Sequence, residues 1–127
     1  MRPADRPTAS VADKLQIRPT HVVCVLHLPD GVDLELPPDV AGTEDPAQAT
    51  AVVLFATDRR ELRARAGPLL DAARRDALAW IAYPKARHLG TDLTRDNLWE
   101  CLQAQDIRPV RQVAIDEIWS GLWFRPT

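Results

Sequence analysis

The chain has 127 residues, the size of one domain, with a formal net charge of −2 and 46% hydrophobic residues. That charge excludes a global field drawing the protein to nucleic acid or anionic membrane. Two cysteines, Cys24 and Cys101, lack C-x-x-C spacing or a histidine ladder, which excludes a disulfide framework or zinc ribbon and suits a reducing cytoplasm.

Residues 1–10 are rich in proline and polar side chains and lack an apolar stretch, so they read as a disordered tail and not a secretory signal. Residues 11–17 read as one short helix stopped by Pro19. The run HVVCVLHL at 21–28 is apolar without alternation, the pattern of a strand buried on both faces. Pro29, Asp30 and Gly31 close it with turn chemistry. Residues 33–36 are compatible with one helical turn before Pro37 and Pro38, and 40–43 with a short edge strand. TAVVLFA at 50–56 is a second buried strand. A helix then starts at Asp58, with Glu61 three residues on at capping-box spacing. Leu62, Ala66, Leu69, Leu70 and Ala73 form its apolar face, and Gly67 with Pro68 predicts a kink or a split. Arg59, Arg60, Arg63, Arg74 and Arg75 lie mostly off that face and read as solvated.

LAWIAY at 78–83 is the third buried strand, ended by Pro84. Residues 94–105 read as the last helix, with Thr94 as N-cap, Asp96 in the first turn, and Leu98, Cys101 and Leu102 facing the core. Residues 110–115 and 121–124 read as a hairpin around a loop at 116–120. This order implies right-handed crossovers onto one sheet, and the hairpin must add to an edge because five residues cannot make a parallel crossover. The expected fold is α/β: a small Rossmann-like three-layer domain over residues 11–127. Its sheet is mostly parallel, with five or six strands and a C-terminal antiparallel hairpin.

Five stretches carry a family resemblance: KLQIRP at 14–19, VVLF at 52–55, WIAYPK at 80–85, TDLTRD at 91–96 and VAIDEIWSGL at 113–122. They resemble the bacterial family called "domain of unknown function 3052", from about Val11 to the C-terminus. The resemblance implies a compact α/β fold in a bacterial cytoplasm and brings no activity, cofactor or catalytic residue. The element order also looks like the C-terminal half of a Rossmann-fold methyltransferase, an analogy of fold alone. The chain departs from nucleotide-binding versions at the turn after the first strand. Residues 28–33 hold one glycine and two carboxylates, where a Gly-rich turn would let backbone N–H groups approach a pyrophosphate. No cofactor is therefore expected.

In open α/β sheets, ligands bind beyond the carboxyl ends of the strands. His27, Thr57, Asp58 and Lys85 stand there, followed by Arg87, His88, Asp92 and Arg95. A lysine, two arginines and a helix start within a dozen residues could hold a phosphate or carboxylate. The bland reading is that Lys85 and Arg95 pair with Asp92 and Asp96 to order the loop. Asp116, Glu117, Trp119 and Ser120 form a second cluster. Adjacent carboxylates point apart, so Asp116 suits a turn bond and Trp119 an edge of the core. One of Trp99, Trp119 and Trp123 is expected at the surface. The candidate ligand-binding residues are His27, Lys85, Arg87, Asp92, Arg95, Asp116 and Trp119, with no catalytic or metal site. Nucleophile-elbow, P-loop, zinc-protease and readable nucleic-acid signatures are absent from the sequence.

Two functions compete. One is a non-catalytic binding or regulatory domain, self-associating or meeting a protein partner through the C-terminal hairpin. The other is an enzyme or sensor that holds a small anion or nucleotide with the loop at 84–95. Neither involves nucleic acid or a membrane.

Overall fold

A computed structural model describes residues 10–102 and 105–127. Apart from Ser10, the expected tail falls outside the described residues, as do Gln103 and Ala104 of the expected last helix. The strands are β1 (Val22–Leu26), β2 (Ala41–Gly42), β3 (Ala51–Phe55), β4 (Leu78–Pro84), β5 (Ile107–Ala114) and β6 (Trp119–Pro126). They form one six-stranded sheet in the order β2-β1-β3-β4-β6-β5. Neighbours β2, β1, β3 and β4 are parallel, and β6 runs antiparallel between β4 and β5. The fold is Rossmann-like α/β, mostly parallel with an antiparallel C-terminal hairpin. The hairpin joins the β4 edge through its second strand.

The unbroken apolar runs make the central strands because both faces of the sheet are covered. Every residue of β3 is buried, as are Ala79 to Pro84 of β4. Side chains alternate between two cores. Val52, Leu54, Ile81 and Leu122 pack with Leu62, Leu69 and Leu98 from α2 (Arg59–Arg65), α3 (Gly67–Arg74) and α4 (Arg95–Leu102). Ala51, Val53, Phe55 and Trp80 pack with Leu15, Ile17 and Leu34 on the opposite face, beneath α1 (Val11–Lys14). That second layer is thin: a one-turn helix and an irregular segment.

Fully buried Trp80 ties this layer down, its indole N–H donating to the Leu15 carbonyl at 2.8 Å. Gly121 of β6 lies against the same ring. A Cβ there would sit 3.2 Å from Trp80 Cε3, so any larger residue would push the ring or the strand back by a few tenths of an ångström.

Four expectations change. Ser10 belongs to the domain and not to a tail: its hydroxyl accepts from the Asp13 amide at 3.0 Å, and the Asp13 carboxylate accepts from the Ser10 amide at 3.2 Å. Residues 33–36 hold no helical turn, because Asp33 Oδ1 accepts from the Glu35 amide at 2.8 Å and Glu35 stands at φ +54°. The Glu35 carboxylate instead accepts from the Val11 amide at 2.7 Å, the first N–H of α1. The Glu61 carboxylate reaches the Thr57 amide at 2.8 Å, one residue short of a reciprocal box with Asp58. Trp119 and Ser120 are the first residues of β6 and not part of a loop.

The hairpin is also longer than expected, and β5 runs through Pro109. Proline is tolerated because β5 is the sheet edge, with a register shift between Pro109 and Arg111.

Candidate functional site

A polar cleft lies at the carboxyl end of β4, near the predicted residues. The Lys85 amide donates to the Ile118 carbonyl at 2.7 Å, and Lys85 Nζ donates to the Asp116 carbonyl at 2.6 Å. The β4 exit is thereby fixed to the β5–β6 turn. The next loop contains three left-handed residues, Arg87 (φ 71°), Leu89 (φ 54°) and Gly90 (φ 65°). For Arg87 and Leu89 that backbone is a strained choice. The loop ends in a reciprocal cap: the Thr94 amide donates to Asn97 Oδ1 at 2.8 Å, and the Asn97 amide to Thr94 Oγ1 at 3.2 Å. This cap sets Arg95 as the first residue of α4.

Lys85 and Arg95 then line one cleft of about 210 Å³ with Tyr83, Thr94, Gln112 and Ser120. Among the described residues no carboxylate lines it. Gln112 Nε2 donates to Tyr83 Oη at 2.9 Å, and Ser120 on the neighbouring strand is buried. Burial pushes the Tyr83 phenol up from its ordinary value; the Arg95 charge partly offsets this and Asp96 adds to it. A cation at the start of a helix opposes the macrodipole, a cost of about 0.3–1 kcal/mol that Asp96 in the same turn reduces.

The other predicted residues do not join this cleft. His27 is exposed after β1 at φ +61°, with β3 between its strand and β4. Arg87 is exposed in the loop and outside the lining. The Asp92 carboxylate accepts from the Arg59 amide at 2.9 Å, capping the first turn of α2, with Arg59 Nε 3.9 Å away. Among the described residues no ion pair joins Lys85 or Arg95 to Asp92 or Asp96, so the loop is ordered by backbone caps and not by the expected pairs.

Asp116 spends its carboxylate on the turn, accepting from the Ile118 and Trp119 amides at 2.8 and 2.7 Å. Only its carbonyl meets Lys85. Trp119 is a core residue, edge-on to Phe55 at 5.1 Å between centroids. Trp123 stacks on Trp80 at 5.9 Å, which leaves Trp99, 41% exposed on α4, as the surface tryptophan. Of the hairpin tryptophans, Trp119 is buried and Trp123 is partly exposed.

Tyr83, Gln112 and Ser120 are not among the candidate ligand-binding residues read from the sequence. Tyr83 is recognisable there only as the polar end of an apolar strand. Gln112 and Ser120 depend on hairpin register, which pairs Ser120 with Tyr83. Among the described residues no group of His, Cys, Asp and Glu is placed to hold a metal ion. No described helix is long and apolar enough to cross a membrane.

No family model and no curated protein matches the chain. Among solved structures it is similar to the ribosomal protein L11 methylase from Lactobacillus delbrueckii subsp. bulgaricus, at 14% identity and a TM-score of 0.40. The match covers 92% of this chain, which spans 63% of that protein's length.

Proposed function

We propose that this chain is a non-catalytic binding domain whose cleft at the carboxyl end of β4 takes a small oxyanion, phosphate or carboxylate in kind. The observation that carries this reading is that Lys85 and Arg95 line one cleft that, among the described residues, no acidic side chain lines. Lys85 is held by a neutral carbonyl, so its charge is positioned without being cancelled. Size narrows the ligand. Pockets for drug-sized molecules span about 300–1,000 Å³, and this one is smaller. It suits one anionic group and not a whole nucleotide. The turn after β1, which lacks a glycine-rich phosphate cradle, agrees with that limit.

A bacterial cytoplasmic setting and kinship with the "domain of unknown function 3052" family belong to the same proposal. Their support is the sequence at 80–85 and 113–122.

Thermal denaturation in sodium phosphate, against sodium chloride at matched ionic strength, tests the reading. At 100 times its Kd a ligand stabilises by about 2.7 kcal/mol, or roughly 10 °C for a domain of this size. The expected result is a phosphate-specific rise that Lys85→Met and Arg95→Gln each remove. Equal rises in chloride, or an undiminished rise in Lys85→Met, would end the proposal.

A further inference from the structure

A second and larger cavity lies at the other end of the sheet, where the chain enters β3 and β4 and β6 leaves. Its volume is about 580 Å³, and its walls include His21, Thr50, Arg75, Asp76, Trp123 and Arg125. That volume falls within the range of sites for small organic molecules.

Its charges are set unequally. Arg125 donates to Asp76 through two nitrogens, at 3.1 and 3.0 Å, and this pairing holds the Asp76 carboxyl below the usual carboxylate range. Arg75 is fixed differently: one terminal nitrogen donates to the Pro46 and Ala49 carbonyls at 2.9 and 2.8 Å. Those carbonyls position the guanidinium and leave its charge in place. Among the described residues, the wall therefore carries one paired arginine and one whose partners are neutral.

Asp76 occupies an unusual position. It terminates α3 at φ +60°, where its amide donates to the Ala73 carbonyl and the Ala77 amide to the Ala72 carbonyl. Glycine is the ordinary residue at this point of the motif. An aspartate there accepts backbone strain and sets a carboxylate on Arg125.

Trp123 supplies the independent observation. Its indole nitrogen is buried and has no hydrogen-bond partner among the described residues, whereas the indole of Trp80, stacked on it, has the Leu15 carbonyl. Trp123 therefore offers the cavity its partly exposed ring and not its nitrogen. Leu78, Ala49 and Ala77 complete an apolar wall beside it.

The geometry points to a second binding site here, for a small organic carboxylate with a flat apolar body. The ligand carboxylate meets Arg75, and its body lies on the Trp123 ring and the apolar wall. The site is separate from the cleft at Lys85, so either can fail without the other.

Indole N–H signals in a nitrogen–proton NMR spectrum test it, with Trp123→Phe assigning the Trp123 signal. Indole-3-acetate and benzoate are the probes, and benzamide is the uncharged control. Indole-3-acetate and benzoate are expected to move the Trp123 signal saturably. Arg75→Gln should weaken both probes at least tenfold, and benzamide should leave the signal in place. A Trp123 signal unmoved by both acids, benzamide binding as tightly as benzoate, or full affinity in Arg75→Gln would each overturn the proposal. Arg75 is an exposed side chain, so that variant keeps the test decisive if Trp123→Phe does not fold.

Discussion

Lys85 Nζ donates to the backbone carbonyl of Asp116 at 2.6 Å, bridging the exit of β4 to the turn between β5 and β6. The two residues are far apart in the chain, and the bond makes one rim of two loops. It also fixes an ammonium whose charge meets only a neutral oxygen there. Lys85→Met should therefore do two separable things. It should cost about 0.5–1.5 kcal/mol in stability, read as a small fall in melting temperature. It should also abolish the response to phosphate, which a purely structural lysine would leave intact.

Gly121→Ala tests how tightly β6 closes on the sheet. The added methyl meets the Trp80 ring at 3.2 Å and the side chains of Ile115 and Leu15 at 3.5 Å. Trp80 is fully buried and cannot swing away. Urea denaturation should show a loss of about 1–3 kcal/mol, the usual cost of overpacking. A neutral or stabilising outcome would mean that the ring and strand have room the structure does not show.

Trp80→Phe removes the indole N–H that holds the Leu15 carbonyl and leaves part of the core empty. A loss of about 3 kcal/mol is expected from the cavity and the broken bond together. Its effect should be uneven. Hydrogen exchange at the amides of Leu15 and Ile17 should accelerate more than at Val53 in the central strand, because the indole is a direct tie between the sheet and α1.

Two groups give the stability a pH dependence of opposite sense. Burial raises the Tyr83 phenol in the folded state, so the folded protein releases this proton later than the unfolded chain. Its contribution is present below pH ~10 and is lost as pH rises toward the raised folded value. Tyr83→Phe should flatten that alkaline decline. Asp76 is lowered by its hydrogen bonds with Arg125, so its contribution is present above pH ~4 and fades as pH falls through the lowered value. Asp76→Asn should flatten the acid limb instead. Denaturation across pH 2–11 separates the two variants.

Much of the fold was legible because its central strands are buried on both sides. An apolar run of five to seven residues, as at β3 and β4, too short for a typical helix and rich in valine or aromatic residues, points to a strand covered on both faces. The Asp58 cap, the break at Gly67 and Pro68, and the turn role of Asp116 were legible for local reasons, since each acts within a few residues. The site was less so. Asp92 serves Arg59, thirty-three positions away, which no spacing rule could suggest. Local pattern puts Trp119 in a loop, but one residue of register decides which face of the sheet a side chain occupies. As the residue paired with Pro84, it faces the core beside Phe55. The larger cavity escapes the sequence because the rule for α/β sheets looks only beyond the carboxyl ends of the strands.

Mapping amide shifts on isotope-labelled protein titrated with sodium phosphate at fixed ionic strength reaches the Lys85–Arg95 cleft most directly. Saturable shifts are expected at Lys85, Ala86, Thr94 and Arg95, with none near Arg75 and Trp123, and they should vanish in the Lys85→Met/Arg95→Gln double variant. Unmoved amides around the cleft, or the same shifts in the double variant, would contradict anion binding there.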